Sequence, residues 1–243
     1  MPKNSPSKTK PFRKVNIGSD SIWVRDNTAG GANDIMIAEG PLRDEYGLNK
    51  LAQTSTTMKW VLDIGGFIGT FSLKTKRLWP RAKIIAFEPA TDSAALFRLN
   101  TAHLKNIFLY EAAAVRRGQP EVVHLVVNND FHAARRVAEV ISQFGDLPPA
   151  GDPVKAVALL DVLKSHGNPE IDLLKIDAEG VEADLIEDLN EAGYLEQIRW
   201  IRGEWHYYPS IPRLEAALCK THIFRYHKNE HPWGGFEAVR RRL

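Results

Sequence analysis

The stretch WVLDIGGFIGTFSL, residues 60–73, joins an apolar run to three glycines through a single acid. WVLDI is short and rich in strand-favouring residues, and Thr70 to Leu78 reads as a helix stopped by Pro80. Ligands of open α/β sheets bind beyond the carboxyl ends of the strands, so a strand–glycine turn–helix unit is a natural contact. The glycines accept positive φ and let a ligand approach the backbone. Their spacing is not G-x-G-x-x-G, and Asp63 stands where it would repel a diphosphate. An acid at this edge favours a ligand with a positive charge and with hydroxyls or an amine. S-adenosylmethionine, with its sulfonium and α-ammonium and no phosphate, meets that description better than NAD or ATP. The plainer alternative makes Asp63 a turn cap and the glycines packing residues.

A second acid strengthens the ligand reading. The strand AKIIAFEP ends in Glu88, about 20 residues after the glycine turn, where a carboxylate can accept hydrogen bonds from both ribose hydroxyls. Pro89 stops the strand. Glu88 favours a nucleoside without choosing among nucleosides, and an exposed strand-end acid is the alternative.

Outward from this unit, strands alternate with helices. Asp92 is a candidate N-cap for a helix running to about His103, and NIFLYEAAAV reads as a third strand. EVVHLVV looks like an added strand. The segment 128–153, ending in DLPPAGDP, reads as an irregular or partly helical insertion of the kind that forms lids and substrate loops. DLLKID, the amphipathic VEADLIEDLNEAG with Gly193 as its C-cap, and IRWIRGEW restore the alternation. A helix at 212–220 precedes HIFRYH and FEAVRRR, which suit an antiparallel hairpin. Residues 15–58 form a polar preface: a short strand (SIWVR), a glycine-rich turn (TAGGAN) and a helix around 34–54. This pattern predicts an α/β fold with a mostly parallel sheet and helices on both faces. The expected organisation is a basic tail over 1–14, a cap segment over 15–58, and a main domain over 59–243.

Composition excludes several classes. Hydrophobic residues make up 44% of the 243 and charged ones 26%, as in ordinary globular proteins. No apolar run approaches a membrane span, and the basic N-terminus lacks the apolar centre of a secretory signal. The single cysteine, Cys219, precludes an internal disulfide and suits a reducing cytoplasm. The net charge of +2 conceals an asymmetry. Five of the 32 Lys and Arg residues lie in 1–14 and three at 240–242, leaving 24 against 30 acids elsewhere. That acidic body argues against a nucleic-acid groove, and the tail reads as a solvated terminus.

With DIGGFIG, AFEP and LLKIDAEGVE in order, the chain resembles the FkbM family of class I S-adenosylmethionine-dependent methyltransferases. The likeness covers about residues 34 to 206, and DLLKIDAEG is its most specific part. The preface with Asp34, Glu45 and Tyr46 is similar to the segment before the family's glycine turn. The resemblance implies a Rossmann-like, seven-stranded sheet with a reversed last strand. It also implies methyl transfer, commonly to a hydroxyl of a sugar, polyketide or other small metabolite. By the same resemblance Asp63, Gly65 and Gly69 line the donor's methionine part, within a turn that includes Gly66, Phe67 and Ile68. Glu88 and Pro89 lie at the ribose, and the backbone near Ala112 and Ala113 at the adenine. Phe67 departs from the family, which usually has a small polar residue there, often Asn.

The acceptor side is read from two strand ends. Lys175 and Asp177, two apart, share a face, as do Glu204 and His206. Asp177 is expected beside the transferred methyl and the donor, with Glu179 in the loop after it. Methyl transfer to oxygen needs a base for the hydroxyl proton, and His206 is the first candidate, with Asp177 aligning it or serving itself. The alternative makes His206 a structural histidine. Asp177, Glu204 and His206 also have the ligand types for Mg²⁺ or Mn²⁺. Glu182 reads as part of a solvated helix face. Tyr46, Asn128, His132, Glu179 and Glu204 are candidate acceptor contacts, and Trp205, Tyr207 and Tyr208 either form an aromatic wall or pack the core. The expected partner is a small-molecule or glycan acceptor. Rival readings are N- or C-methylation on the same scaffold, and a non-catalytic nucleic-acid- or ligand-binding module.

Overall fold

The computed structural model describes residues 12–26, 28–127, 135–137, 151–206, 208–227 and 233–241. Strands β1 (Phe12–Ile17) and β2 (Asp20–Arg25) form an antiparallel hairpin, followed by helices α1 (Thr28–Arg43) and α2 (Leu48–Thr54). The alternation then runs β3 (Trp60–Ile64), α3 (Thr70–Leu78), β4 (Lys83–Phe87), α4 (Thr91–Thr101), β5 (Ile107–Tyr110). Strands β6 (Ala113–Val115), β7 (Val122–Val127), β8 (Arg135–Val137) and β9 (Asp152–Ala158) come next. Helix α5 (Leu159–Ser165), β10 (Ile171–Ile176), α6 (Glu182–Glu191) and β11 (Ile198–Trp205) follow. Helix α7 (Ser210–Leu218), β12 (His222–Tyr226) and β13 (Gly234–Arg240) complete the order.

The central sheet has seven strands in the order β12-β13-β11-β10-β3-β4-β5. Only β13 runs against its neighbours, so the expected α/β sheet with a reversed last strand is present. From β3 the chain builds outward through β4 and β5, then returns to add β10 on the other side. The crevice at this reversal lies above the carboxyl ends of β3 and β10, where α/β sheets take their ligands. Alternate residues serve opposite faces. Leu62, Ile64, Ile85, Leu174 and Ile176 join one core cluster, while Val61, Ile84, Ala86 and Leu173 join another with Tyr46, Leu48 and Leu51.

Several expectations are corrected. TAGGAN is not a turn: it opens α1, whose Ile35, Ala38 and Leu42 pack with Ile22, Val24, Ile68 and Leu96. That burial outweighs the poor helix propensity of two glycines. The helix expected over 34–54 is two, divided where Asp44 (φ 86°) and Gly47 (φ 66°) turn left-handed. Ala90, not Asp92, caps α4; Asp92 is drawn instead to Arg25. NIFLYEAAAV breaks into β5 and β6, because β6 leaves the main sheet for a second one ordered β6-β9-β7-β8. The segment 128–153 contains β8 and the start of β9, and neither β9 nor α5 was anticipated. Asn128, His132, Tyr207 and most of the basic tail lie outside the described residues. Among the described residues no helix is long and apolar enough to cross a membrane.

Among the glycines in the strands of the central sheet, Gly203 of β11 has the tightest surroundings. A Cβ there would stand 2.5 Å from the Ile176 carbonyl oxygen and 2.7 Å from the Phe236 ring. Gly203→Ala is therefore expected to destabilise the protein by ~1–3 kcal/mol through overpacking. Chemical denaturation should read this as a lower midpoint at an unchanged slope; an unaltered midpoint would contradict the packing described.

Candidate functional site

The glycine turn is built by hydrogen bonds across the sheet. The N–H groups of Gly65 and Gly66 both donate to the Phe87 carbonyl, at 3.1 and 2.8 Å. Gly65 has φ 78°, and a Cβ on it would lie 1.8 Å from the Asp177 carbonyl oxygen, so no side chain fits. The Lys175 ammonium, buried in β10, donates to the Gly65 carbonyl at 2.6 Å. It also stands 3.4 Å from Asp177 and 3.8 Å from Asp63. The turn is thus held by the strand that carries the acceptor-side acid.

Above this turn is a cavity of about 600 Å³, of a size that suits small-molecule ligands. Gly65, Gly66, Phe67, Glu88 and Pro89 line it, as do Ala113 and Ala114. Glu88 is set by two backbone groups: Phe67 N–H donates to one oxygen at 2.8 Å and Ala90 N–H to the other at 2.9 Å. Phe67 has φ 47°, a left-handed conformation that Asn tolerates better than Phe. Ile68, Gly69 and Ala112 are not among the lining residues; Ile68 is fully buried beneath the N-terminal hairpin.

Asp63 sits elsewhere than expected. It is fully enclosed, does not line the cavity, and accepts a 2.7 Å hydrogen bond from Ser72 of α3. Burial raises its pKa, opposed by Lys175 and Ser72. Its carboxylate balances Lys175 from beneath the turn.

A second group of lining residues forms where β10 and β11 stop side by side. Asp177, Glu179, Glu204 and His206 all line the cavity, with Glu45 and Tyr46 from the α1–α2 segment. Tyr46 donates its hydroxyl to Asp177 at 3.1 Å. Glu182, expected on a solvated face, is instead fully buried. One of its oxygens accepts the N–H groups of Ala178 and Gly180 at 3.0 and 3.1 Å and faces His206 Nδ1 at 2.8 Å. A glutamate in a helix's first turn is placed to hold backbone N–H groups, and that position is the signal the sequence offered.

With Nδ1 committed to Glu182, His206 directs Nε2 at three carboxylates: Glu179 at 3.6 Å, Asp177 at 3.7 Å and Glu204 at 3.8 Å. These gaps are too wide for hydrogen bonds. Burial opposes the charged ring, but Glu182, Glu179 and Asp177 prevail and push its pKa up to about 10. Burial would also raise Asp177, yet Lys175, His206 and Tyr46 hold it below the usual carboxylate range. Burial and the neighbouring Asp177 push Glu204 up to about 8. Near neutral pH the histidine is therefore an imidazolium, without the lone pair a base needs, and Glu204 titrates close to it.

Of the candidate metal ligands, Asp177 and His206 converge with Glu182, their ligand atoms lying within 4.8 Å of one another; Glu204 is not part of that set. The aromatic wall divides: Trp205 is fully buried, Tyr208 is exposed against it, and neither lines the cavity. Met36, Ile37, Pro41 and Trp233 do line it. Sequence reading missed these four, since nothing local marks an apolar side chain as facing a cavity.

A model of the methyltransferase FkbM domain matches residues 63–226. "Methyltransferase sdnD" of Sordaria araneosa is 26% identical over 201 residues, covering 65% of this chain and 71% of that protein. "Methyltransferase 1" of Beauveria bassiana is 28% identical over 147 residues, or 54% of this chain and 59% of its own length. "31-O-demethyl-FK506 methyltransferase FkbM" of Streptomyces tacrolimicus is 26% identical over 190 residues, or 68% and 72%. The match takes in the glycine turn, Glu88 and both strand ends of the acceptor cluster, and the chain belongs to the FkbM family of S-adenosylmethionine-dependent methyltransferases.

Proposed function

We propose that the enzyme methylates a hydroxyl oxygen of a small molecule with an apolar body. In this reading the glycine turn and Glu88 would hold S-adenosylmethionine, which would supply the methyl group on the Asp177 side of the cavity. The arrangement of His206 carries the proposal. Its Nε2 faces three carboxylates across gaps of 3.6–3.8 Å, which a hydroxyl oxygen can bridge with ordinary hydrogen bonds. The acceptor oxygen attacks the methyl carbon, the carbon–sulfur bond breaks, and S-adenosylhomocysteine leaves. The hydroxyl proton passes to Glu204, whose pKa of about 8 suits a base at mildly alkaline pH. The role first assigned to His206 changes: its positive charge stabilises the developing alkoxide, while Glu182 orients the ring.

Apolar Met36, Ile37, Pro41 and Trp233 support a polyketide-like or otherwise hydrophobic acceptor. The carboxylates around the same cavity disfavour phosphorylated compounds and nucleic acid. The relative named for 31-O-demethyl-FK506 supports oxygen as the methylated atom.

A second reading retains a divalent cation. A buried carboxylate orienting a histidine whose other nitrogen faces further carboxylates is a common metal-site arrangement. Asp177 and His206 would hold Mg²⁺ or Mn²⁺, with Glu204 outside the converging set, and the ion would lower the hydroxyl's pKa. His206 would then have to be neutral. Methyl transfer by enzyme dialysed against a chelator separates the readings. Full activity is expected for the carboxylate base, and loss restored by Mg²⁺ or Mn²⁺ would favour the cation.

For the base reading, turnover is expected to climb through about pH 8 as Glu204 ionises. Glu204→Gln should reduce kcat by ~10²-fold or more and flatten that limb, with S-adenosylmethionine affinity retained. A Glu204→Gln enzyme with wild-type turnover would exclude this base.

The same groups govern stability. His206 and Glu204 both have pKa values raised by folding, to about 10 and about 8 from 6.5 and 4.5. Stability linked to a raised pKa is complete below the unfolded value and is lost as pH rises through the folded one. The ligand-free Tm should therefore fall between about pH 5 and pH 10, and less steeply in Glu204→Gln. A flat profile would show that these protons are not linked to folding.

A further inference from the structure

Among the described residues, polar side chains fasten the N-terminal hairpin to the main domain at three places, beside its apolar packing. Asp20 pairs with Arg77 of α3. The Asn100 side chain of α4 accepts the Trp23 N–H at 2.7 Å and donates to the carbonyls of Trp23 and Ile68 at 3.1 and 2.8 Å. The third fastening is Arg25, and it reaches the donor side of the cavity.

Arg25 is buried at the end of β2. Its Nε and Nη2 donate to Asp92 at 3.0 and 2.9 Å, Nη2 also donates to Ser93 at 2.7 Å, and Nη1 pairs with Asp34 of α1. The guanidinium carbon lies 5.7 Å from the centre of the Phe67 ring. Phe67 and the first turn of α4 are the two flanks of Glu88. Phe67 N–H fixes one Glu88 oxygen, and Ala90, just before that turn, fixes the other. One planar cation therefore spans both supports of the carboxylate. A lysine could not reproduce this, since it lacks the fork for two carboxylates and the flat face for an aromatic ring.

We propose that Arg25 is a positioning residue for the methyl donor, clamping Phe67 to the start of α4 so that Glu88 is presented to the ribose diol. The inference rests on the reading of Glu88 as the ribose acceptor. Arg25 precedes residues 63–226, so this part of the donor site comes from outside the matched family domain. Asp34, on α1, extends the clamp to the helix that carries Met36 and Ile37 over the cavity. Donor binding and the shape of the acceptor wall are thereby linked through one side chain.

The test is calorimetric titration of S-adenosylmethionine into the full chain, with a melting curve for every variant. Glu88→Gln and Arg25→Ala are each expected to weaken binding by ~10-fold or more. Arg25→Lys should recover only part of the loss. Combined with Glu88→Gln, Arg25→Ala should add little, because both act on one contact. Arg77→Gln, which cuts another fastening of the same hairpin, should lower Tm and leave donor affinity unchanged. Wild-type affinity in folded Arg25→Ala alongside a weakened Glu88→Gln would overturn the clamp. So would an equal loss in Arg77→Gln, which would make the effect general loosening of the hairpin. Wild-type affinity in Glu88→Gln would instead remove the ribose reading on which the clamp depends. Should Arg25→Ala not fold, Arg25→Lys and Asp92→Asn carry the same comparison, and wild-type affinity in both would refute the proposal.

Discussion

A buried ammonium organises the catalytic end of this molecule. Lys175 reaches from β10 into the turn after β3, donates to the Gly65 carbonyl, and lies between Asp63 below and Asp177 above. A cation taken out of water costs several kcal/mol unless its charge and its donors are matched. Here two carboxylates and two carbonyls match it. The donor turn and the acceptor-side acid thus share one counter-ion. Gly65 must be glycine because that link brings its backbone against Asp177.

The charge pattern around the cavity follows from the same economy. Asp177 stays ionised beside Lys175, and its negative field, with burial, pushes protons onto Glu204 and helps keep His206 charged. Glu182, hidden under the loop, supplies the rest of the field on His206 and fixes the ring. Asp177 enters the shifts of Glu204 and His206, and His206 enters those of Asp177 and Glu204, so these three groups titrate together.

The segment before the family domain completes the site. Helix α1 and the α1–α2 turn contribute Met36, Ile37, Pro41, Glu45 and Tyr46 to the cavity, and the hairpin contributes Arg25 to its support. The cavity is thus lined both by the matched family domain and by the segment before it.

Much of the architecture was legible from local pattern. Strand and helix periodicity, Pro80, the glycine turn and the KIDAEG stretch placed β3, α3, β4, β10, α6 and β11, because backbone geometry repeats over a few residues. Strand-end acids such as Glu88 and Asp177 were legible for the same reason: a strand's end is where an α/β sheet presents its side chains to a ligand. Tertiary structure decided the rest. Asp63 turned inward to Ser72 and Lys175, Glu182 was buried against a histidine 24 positions away, and Asp92 gave up its capping role for an arginine 67 positions away. Burial, and charges brought together from distant parts of the chain, set protonation and orientation. Neither quantity exists until the chain has folded, so the sequence offered candidate residues while only the fold set their burial, protonation and orientation.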